Sequence, residues 1–155
     1  GSTANRTSLA QAPLTASSVF NFYRPGFVPP NSRLAQQNLT GPEFQIADEI
    51  TVAGYINTMQ TTIGSGIGTG TDIKAAYSQE MALAKDPAAL VDRMNRLLYS
   101  GQMSASLRTQ MINAVTGVAL PTGTPTQAQT DAALLNRAKL AVFLAMVSPE
   151  YMIQK

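Results

Sequence analysis

The chain of 155 residues contains no cysteine and no histidine. Disulfide bonds are therefore excluded, and the nitrogen and sulfur ligands of most transition-metal sites are missing. The activated nucleophiles that rely on a histidine base cannot be built from this chain either. The sequence predicts that the chain itself is not an enzyme, has no catalytic residue, uses no cofactor and binds no transition metal tightly.

Charge and long apolar runs are also scarce. Charged residues make up 13 % of the chain, against roughly a quarter in an average globular protein. The net charge is +2 and the basic residues are scattered, so no nucleic-acid partner is expected. The longest apolar run, 140–147, has eight residues, whereas a membrane span needs about 20. The sequence therefore predicts no membrane span.

The length fits one domain with a sizeable core. Residues 1–16 are small and polar without periodicity, and they are predicted to form a tail. Gly1 and Ser2, without a methionine, resemble an expression scar and indicate a piece excised from a longer protein. A single helical domain is predicted over 17–155.

An aromatic loop over 17–30 stands out, because it holds four of the ten aromatic residues and three of the nine prolines. The prolines disfavour a helix, so an ordered, extended loop packed across the helices is expected. Rings of this size are costly to leave in water. Alternation along an extended segment sends Phe20 and Phe22 to the same side. At least two of Phe20, Phe22 and Phe27 are predicted to be core residues.

The rest of the chain shows helical periodicity, which predicts an all-α fold of about five or six helices. Thr40 and Glu43 have the spacing of a capping box for a long helix, and Asp72 and Ser104 are predicted N-caps. In the helix over 87–100 the apolar stripe is Leu90, Val91, Met94, Leu97 and Leu98. The predicted helices are a short one after 31–32 that ends at Gly41, followed by helices over about 42–63, 72–85, 87–100, 104–116 and 131–147, with a final turn over 148–153.

Two segments invite a catalytic interpretation and do not support one. The glycine-rich run 64–71 lacks the spacing and the Lys-Ser or Lys-Thr pair of a phosphate loop, and it is interpreted as a flexible linker. Asp48 and Glu49 are adjacent on a predicted helix, where neighbours point about 100° apart and do not form a carboxylate pair. They are predicted to lie on a solvated or interface edge.

Arg24 is the one charged group inside the aromatic loop, and it leaves two interpretations open. Its guanidinium either hydrogen-bonds loop carbonyls or a carboxylate such as Glu43 or Glu150, or it holds an anionic or sugar-like ligand against the rings. The second interpretation gives a candidate ligand-binding site made of Phe22, Tyr23, Arg24 and Phe27.

Four separated strings resemble one family in the same order. They are SVFNFYRPGFVPP (18–30), PEFQI (42–46), LVDRMNRLLYSGQMS (90–104) and VSPEYMIQK (147–155). Together they resemble the C-terminal part of the bacterial family called domain of unknown function 1800, from about Ala12 onwards. The resemblance implies a much longer, commonly exported protein, with an N-terminal helical region whose His, Trp, Asn and Glu signatures this chain lacks. It implies no catalytic residue, because no activity is established for the family.

The resemblance and the composition together predict a non-catalytic C-terminal helical module of an exported bacterial protein. Its expected partner is the missing N-terminal region, or another exported protein, and its expected location is the periplasm or the cell surface. Two alternatives stay open at this point. One is a domain that binds a glycan-like or anionic ligand through the aromatic loop, and the other is part of a hydrolase whose catalytic centre lies in the N-terminal region.

Overall fold

The structure, a computed structural model, describes residues 11, 14, 16–68 and 70–152. Within these ranges it contains no strand, only isolated bridges between Ser18 and Asn21 and between Ile67 and Ile73, so the all-α prediction is confirmed. The predicted tail lies almost wholly outside the described residues. The helices are α1 (Arg33–Gln36), α2 (Glu49–Ser65), α3 (Ser78–Leu83), α4 (Pro87–Leu98), α5 (Ala105–Gly117), α6 (Gln127–Val147) and α7 (Pro149–Met152), with a 3-10 helix over Pro42–Gln45.

The chain contacts divide it into two compact units, residues 1–58 and residues 59–155. The first unit holds the aromatic loop, α1, the 3-10 helix and most of α2. The second holds α3 to α7 and the end of α2. The single domain over 17–155 stays a prediction.

In the first unit the start of α1 agrees with the cap predicted at residue 31 or 32, whereas the predicted end at Gly41 is wrong. Ser32 Oγ accepts a hydrogen bond from Ala35 N at 3.1 Å, and the helix ends after one turn at Gln36. Gly41 follows in a tight space, because a Cβ there would lie 2.8 Å from Leu34 Cδ1 and 2.9 Å from a ring carbon of Phe44. Only glycine fits between these two side chains at that distance.

The long helix predicted from residue 42 is wrong in its first turns. Gly41, not Thr40, precedes the 3-10 helix, and no side chain caps it. The cap of α2 is Asp48, whose Oδ1 accepts from Thr51 N at 2.8 Å while Thr51 Oγ1 accepts from Asp48 N at 2.9 Å. This reciprocal pair satisfies two backbone donors at once. Asp48 is therefore a helix cap. This role was not predicted, since Asp48 was expected on a solvated or interface edge.

The second unit opens with a closed loop between α2 and α3. Ile67 and Ile73 exchange backbone hydrogen bonds of 2.8 and 3.0 Å, and Gly66 and Gly68 adopt φ angles of +100° and +105°, which glycine tolerates at low cost. Asp72 does not cap a helix, because its Oδ1 accepts from Gly70 N within this loop. The prediction of a helix from 72 is wrong, and α3 begins at Ser78.

Helices α4 and α5 agree with their predictions. Asp86 caps α4 through Ala88 N and Ala89 N, and Ser104 caps α5 through Leu107 N. The tight turn between them lets α4 and α5 pack side by side. Leu97 is the exception in the predicted stripe, since it is 58 % exposed.

Helix α6 starts four residues earlier than predicted because of a capping box that the prediction missed. Thr126 Oγ1 accepts from Gln129 N, and Gln129 Oε1 accepts from Thr126 N. The helix packs against α3, α4, α5 and α7, and its buried face is rich in alanine, which lets neighbouring helices approach closely. The core around it is formed by Ala84, Leu90, Val91, Met94, Tyr99, Met103, Met111, Val115, Leu134, Ala141 and Ala145.

A charged residue also lies on this buried face. Arg137 is only 6 % exposed, and its guanidinium donates to Val118 O at 2.8 Å, to Ala84 O at 3.1 Å and to Thr116 O at 3.5 Å. These carbonyls belong to the C-terminal ends of α3 and α5, where unpaired carbonyls and the negative end of the helix dipole favour a cation. Arg137 therefore joins three helices, and its hydrogen bonds go to backbone carbonyls.

Candidate functional site

The predicted binding residues Phe22, Tyr23, Arg24 and Phe27 surround a turn in the first unit. Phe27 N donates to Arg24 O at 3.0 Å across the intervening Pro25 and Gly26, which are residues typical of turns. Two longer-range hydrogen bonds hold the turn, from Arg24 N to Gln45 Oε1 and from Gly41 N to Phe27 O, both at 2.8 Å. The loop is thereby tied to the segment that carries the 3-10 helix.

The four side chains are not equally available to a ligand. Phe22, Tyr23 and Phe27 are half-buried, whereas Arg24 is exposed. Within the described part of the first unit, no ion pair joins the Arg24 guanidinium to Glu43. The half-burial of the rings leaves part of each face accessible, so ligand binding at this loop stays a prediction.

Phe20 is not one of the core residues, because it is 58 % exposed. The prediction that at least two of the three phenylalanines are core residues therefore depends on Phe22 and Phe27. The physical reason for the exposure of Phe20 is a turn, in which Asn21 N donates to Ser18 O at 3.2 Å and Asn21 has a φ of +70°. The turn breaks the alternation that would have placed Phe20 and Phe22 on one side, and it leaves Val19 and Phe20 at its corner. A core role for Phe22 and Phe27 stays a prediction.

The first unit carries further exposed apolar side chains. Val19 is 94 % exposed and Phe44 is 52 % exposed. Isolated exposed apolar residues are normal on protein surfaces, whereas a contiguous apolar patch is typical of an interaction site. From residue 16 to residue 58 the exposed large apolar residues are Val19, Phe20, Val28, Leu39, Phe44, Ile50, Val52 and Ile56.

The second unit contains a cleft of about 390 Å³ between the end of α2, the bridged loop and α6. Its polar lining consists of two lysines and four hydroxyl-bearing residues, namely Lys74, Lys139, Thr62, Ser65, Thr71 and Tyr77. Burial, and secondarily the charge of Glu80, raises the pKa of Tyr77, so its hydroxyl stays protonated at neutral pH. Sequence analysis missed this site, because the residues come from three segments that only the fold brings together.

The strings 90–104 and 147–155, which carry part of the family resemblance, meet in the second unit. Tyr99 Oη donates to Ala145 O at 2.7 Å and lies 2.6 Å from Ser148 Oγ. Because the Tyr99 hydroxyl hydrogen is donated to the Ala145 carbonyl, the Ser148 hydroxyl is the donor in its contact with Tyr99 Oη. Glu150 accepts hydrogen bonds from Ser104 N and Oγ, which places a carboxylate at the N-terminus of α5. The cluster stabilises the packing of α7 and has the pattern of a structural network.

Removing the Tyr99 hydroxyl is expected to lower stability and to change its response to alkaline pH. Burial is the main cause that raises the pKa of Tyr99 above its ordinary value of 10.0. Above pH 10 the unfolded chain loses this proton while the folded chain keeps it. The contribution of Tyr99 to the free energy of unfolding is therefore fully present below pH 10 and decreases as the pH rises above it. We expect Tyr99→Phe to cost about 1 to 2 kcal/mol at pH 7 and to flatten that alkaline fall.

Urea unfolding at a series of pH values from 7 to above 10 measures both effects. Tyr23→Phe is the control, because Tyr23 is half-buried in the other unit. An alkaline fall of equal slope in Tyr99→Phe and in the unaltered chain would contradict the assignment.

Two ion pairs are found among the described residues of the second unit. Arg93 Nε binds Glu80 Oε1 at 2.7 Å, and Arg108 Nε binds Asp92 Oδ1 at 2.7 Å. The hydrogen bond from Arg108 lowers the pKa of Asp92, and the same bond raises the pKa of Arg108. Asp92 is substantially exposed, so solvent screens this pair and its contribution is small.

A metal centre is not apparent in the part of the chain that the structure describes, where no three acidic side chains come together. Over the same residues, every helix is too short or too polar to cross a lipid bilayer.

The sequence was compared with family models, with curated proteins and with solved structures. The model described as "protein of unknown function (DUF1800)" matches residues 2–153. No curated protein and no solved structure matches the chain. Because the family model covers nearly the whole chain, the protein belongs to the DUF1800 family.

Proposed function

We propose that this chain is a non-catalytic helical interaction module whose first unit binds another polypeptide through its exposed apolar side chains. The observation that carries the proposal is the exposure of Val19, Phe20 and Phe44 at 94 %, 58 % and 52 %. Two of these are aromatic, and aromatic side chains are enriched at protein interfaces. Covering them removes apolar surface from water, at roughly 25 cal/mol for each Å² buried.

The partner that we propose is the N-terminal helical region found in longer members of the family, with this chain at the C-terminal end of the same protein. The family resemblance supports the partner, and it supports export together with the low content of charged residues. The lack of histidine and cysteine in the chain supports a non-catalytic role for this part. If the whole protein is a hydrolase, the N-terminal region is the proposed place of its catalytic centre.

A second proposal is that the aromatic loop binds an anionic or glycan-like ligand. It is supported by the exposed guanidinium of Arg24 beside the half-buried rings of Phe22, Tyr23 and Phe27.

The absence of native cysteine makes single-cysteine labelling a clean test of the interface. Val19→Cys, Phe44→Cys and the control Leu97→Cys, on α4 of the second unit, each introduce one thiol at an exposed apolar position. We expect the N-terminal region, when fused to this chain in a longer protein, to slow labelling at positions 19 and 44 by about tenfold or more. Labelling at position 97 is expected to stay unchanged.

The comparison is made on folded protein, with circular dichroism confirming the helical content of each variant. Equal labelling rates at 19 and 44 with and without the N-terminal region would refute the interface. Slower labelling at all three positions would point to general aggregation and would count against it as well.

A further inference from the structure

The cleft in the second unit has the geometry of a binding site, and the argument begins at its floor. The floor is the C-terminal end of α2, where helix carbonyls lack intrahelical partners. Two side chains cover them. Tyr77 Oη donates to Ile63 O at 3.2 Å, and Lys139 Nζ donates to Gly64 O at 2.8 Å. The floor is thereby neutralised, since Lys139 opposes the negative end of the helix dipole.

A second lysine, Lys74, lies on the wall of the cleft, in a loop that is closed by its own backbone hydrogen bonds. The hydrogen bonds between Ile67 and Ile73 fix the loop, and Lys74 Cγ lies 2.7 Å from the position that a Cβ on Gly66 would occupy. Across the described residues Lys74 forms no ion pair. The side-chain stem is positioned by the backbone of the loop, while the ammonium group stays accessible.

The rest of the lining supplies hydroxyl groups and no acid. Among the described residues that line the cleft, none is aspartate or glutamate. The nearest acid in sequence, Asp72, already accepts from Gly70 N. A volume of about 390 Å³ lies within the range of small-molecule sites and far exceeds the volume of a bare inorganic ion.

From this geometry we propose that the cleft binds an anionic polyol of monosaccharide size, in which a carboxylate or phosphate pairs with Lys74. The ammonium group supplies a charge-assisted hydrogen bond, and the hydroxyls of Thr62 and Ser65 face the ligand's hydroxyl groups as cleft lining. Thr71 Oγ1 donates to Gly70 O at 2.6 Å, so it can only accept a hydrogen bond from the ligand. The site lies wholly in residues 59–155, so this inference does not depend on the interface proposed for the first unit.

Isothermal titration with four probes tests the chemistry. The probes are glucuronate, glucose 6-phosphate, glucose and inorganic phosphate. We expect at least one of the two anionic sugars to bind with a dissociation constant of about 1 mM or below, and to bind about tenfold more tightly than glucose or inorganic phosphate. Whichever anionic sugar binds more tightly identifies the anionic group. Equal binding of glucose, equal binding of inorganic phosphate, or no binding of any probe at about 10 mM would each overturn the proposal.

Matched lysine variants place the binding in the cleft. Lys74→Gln is expected to weaken the anionic sugar about tenfold, the effect of losing one charge-assisted hydrogen bond, with an unchanged melting temperature because Lys74 is exposed. Lys85→Gln is the control, since Lys85 is also exposed but lies outside the cleft lining. An equal effect of the two variants, or no effect of Lys74→Gln, would refute the site.

Discussion

Replacing Arg137 with methionine is expected to lower the free energy of unfolding by about 1.5 to 3 kcal/mol. Methionine keeps the apolar stem and much of the volume, so the change removes the guanidinium and its three hydrogen bonds to Val118 O, Ala84 O and Thr116 O. These carbonyls lose a charged donor at the ends of α3 and α5, and the contact with Ala84 O is buried. The loss is large beside a typical domain stability of roughly 5 to 15 kcal/mol.

Urea unfolding followed by circular dichroism measures the effect of Arg137→Met. Arg96→Met on α4 is the matched control, because Arg96 is exposed, and we expect it to change stability by no more than about 0.5 kcal/mol. Arg137→Lys is a useful third variant, since it keeps the charge but offers no planar fork to three acceptors, and it is expected to fall between the two. A loss below about 1 kcal/mol for Arg137→Met would contradict the proposed role.

Truncating Leu90 to alanine is expected to cost about 2 to 5 kcal/mol. Leu90 is fully buried and is among the largest of the fully buried side chains in the core around α4, α5 and α6. The change removes apolar contacts and leaves a cavity that a closely packed interior fills only in part. A melting temperature measured by calorimetry is expected to fall by about 2 to 4 °C for each kcal/mol lost, as for a protein of this size.

The same substitution at Leu97 provides the control on the same helix. Leu97 is 58 % exposed, so Leu97→Ala is expected to stay within about 0.5 kcal/mol of the unaltered chain. Comparable losses at the two positions would show that the side of α4 assigned to the core is wrong.

Arg137 and Leu90, which are expected to contribute strongly to the free energy of unfolding, both lie in residues 59–155. The proposed interface lies in residues 16–58. A substitution that weakens partner binding at Val19 or Phe44 is therefore expected to leave the melting temperature nearly unchanged. The converse is expected of Arg137→Met and Leu90→Ala, which report on folding. This separation allows binding and stability to be measured independently in one set of variants.

Much of the secondary structure follows from the sequence because its signals are local. Asp86 before Pro87 and Ser104 before α5 are side chains that reach backbone amides two or three residues away, so both helix starts were predicted correctly. The all-α class likewise follows from apolar spacing. Two local signals were present and overlooked, namely the Asp48 and Thr51 pair and the Thr126 and Gln129 box.

Other predictions were wrong because the local sequence is compatible with two conformations and does not show which of them is more stable. Asp72 has the chemistry of an N-cap, but the bridge between Ile67 and Ile73 binds it into a loop instead. In an extended segment Phe20 would lie on the same side as Phe22, but the turn at Asn21 places Phe20 at the surface. In both places a few backbone hydrogen bonds determine which of two acceptable conformations is adopted.

By itself the sequence determined the helical class, the starts of α4 and α5, and, through four separated strings, the family. The tertiary structure alone decided the partners of Arg137 and the cleft of Lys74 and Lys139. The local sequence pattern does not distinguish a buried arginine such as Arg137 from an exposed one. The cleft could not be predicted because its three segments are far apart along the chain. Helix propensity and capping act over a few residues, whereas charge compensation and concave surfaces depend on which helices pack together.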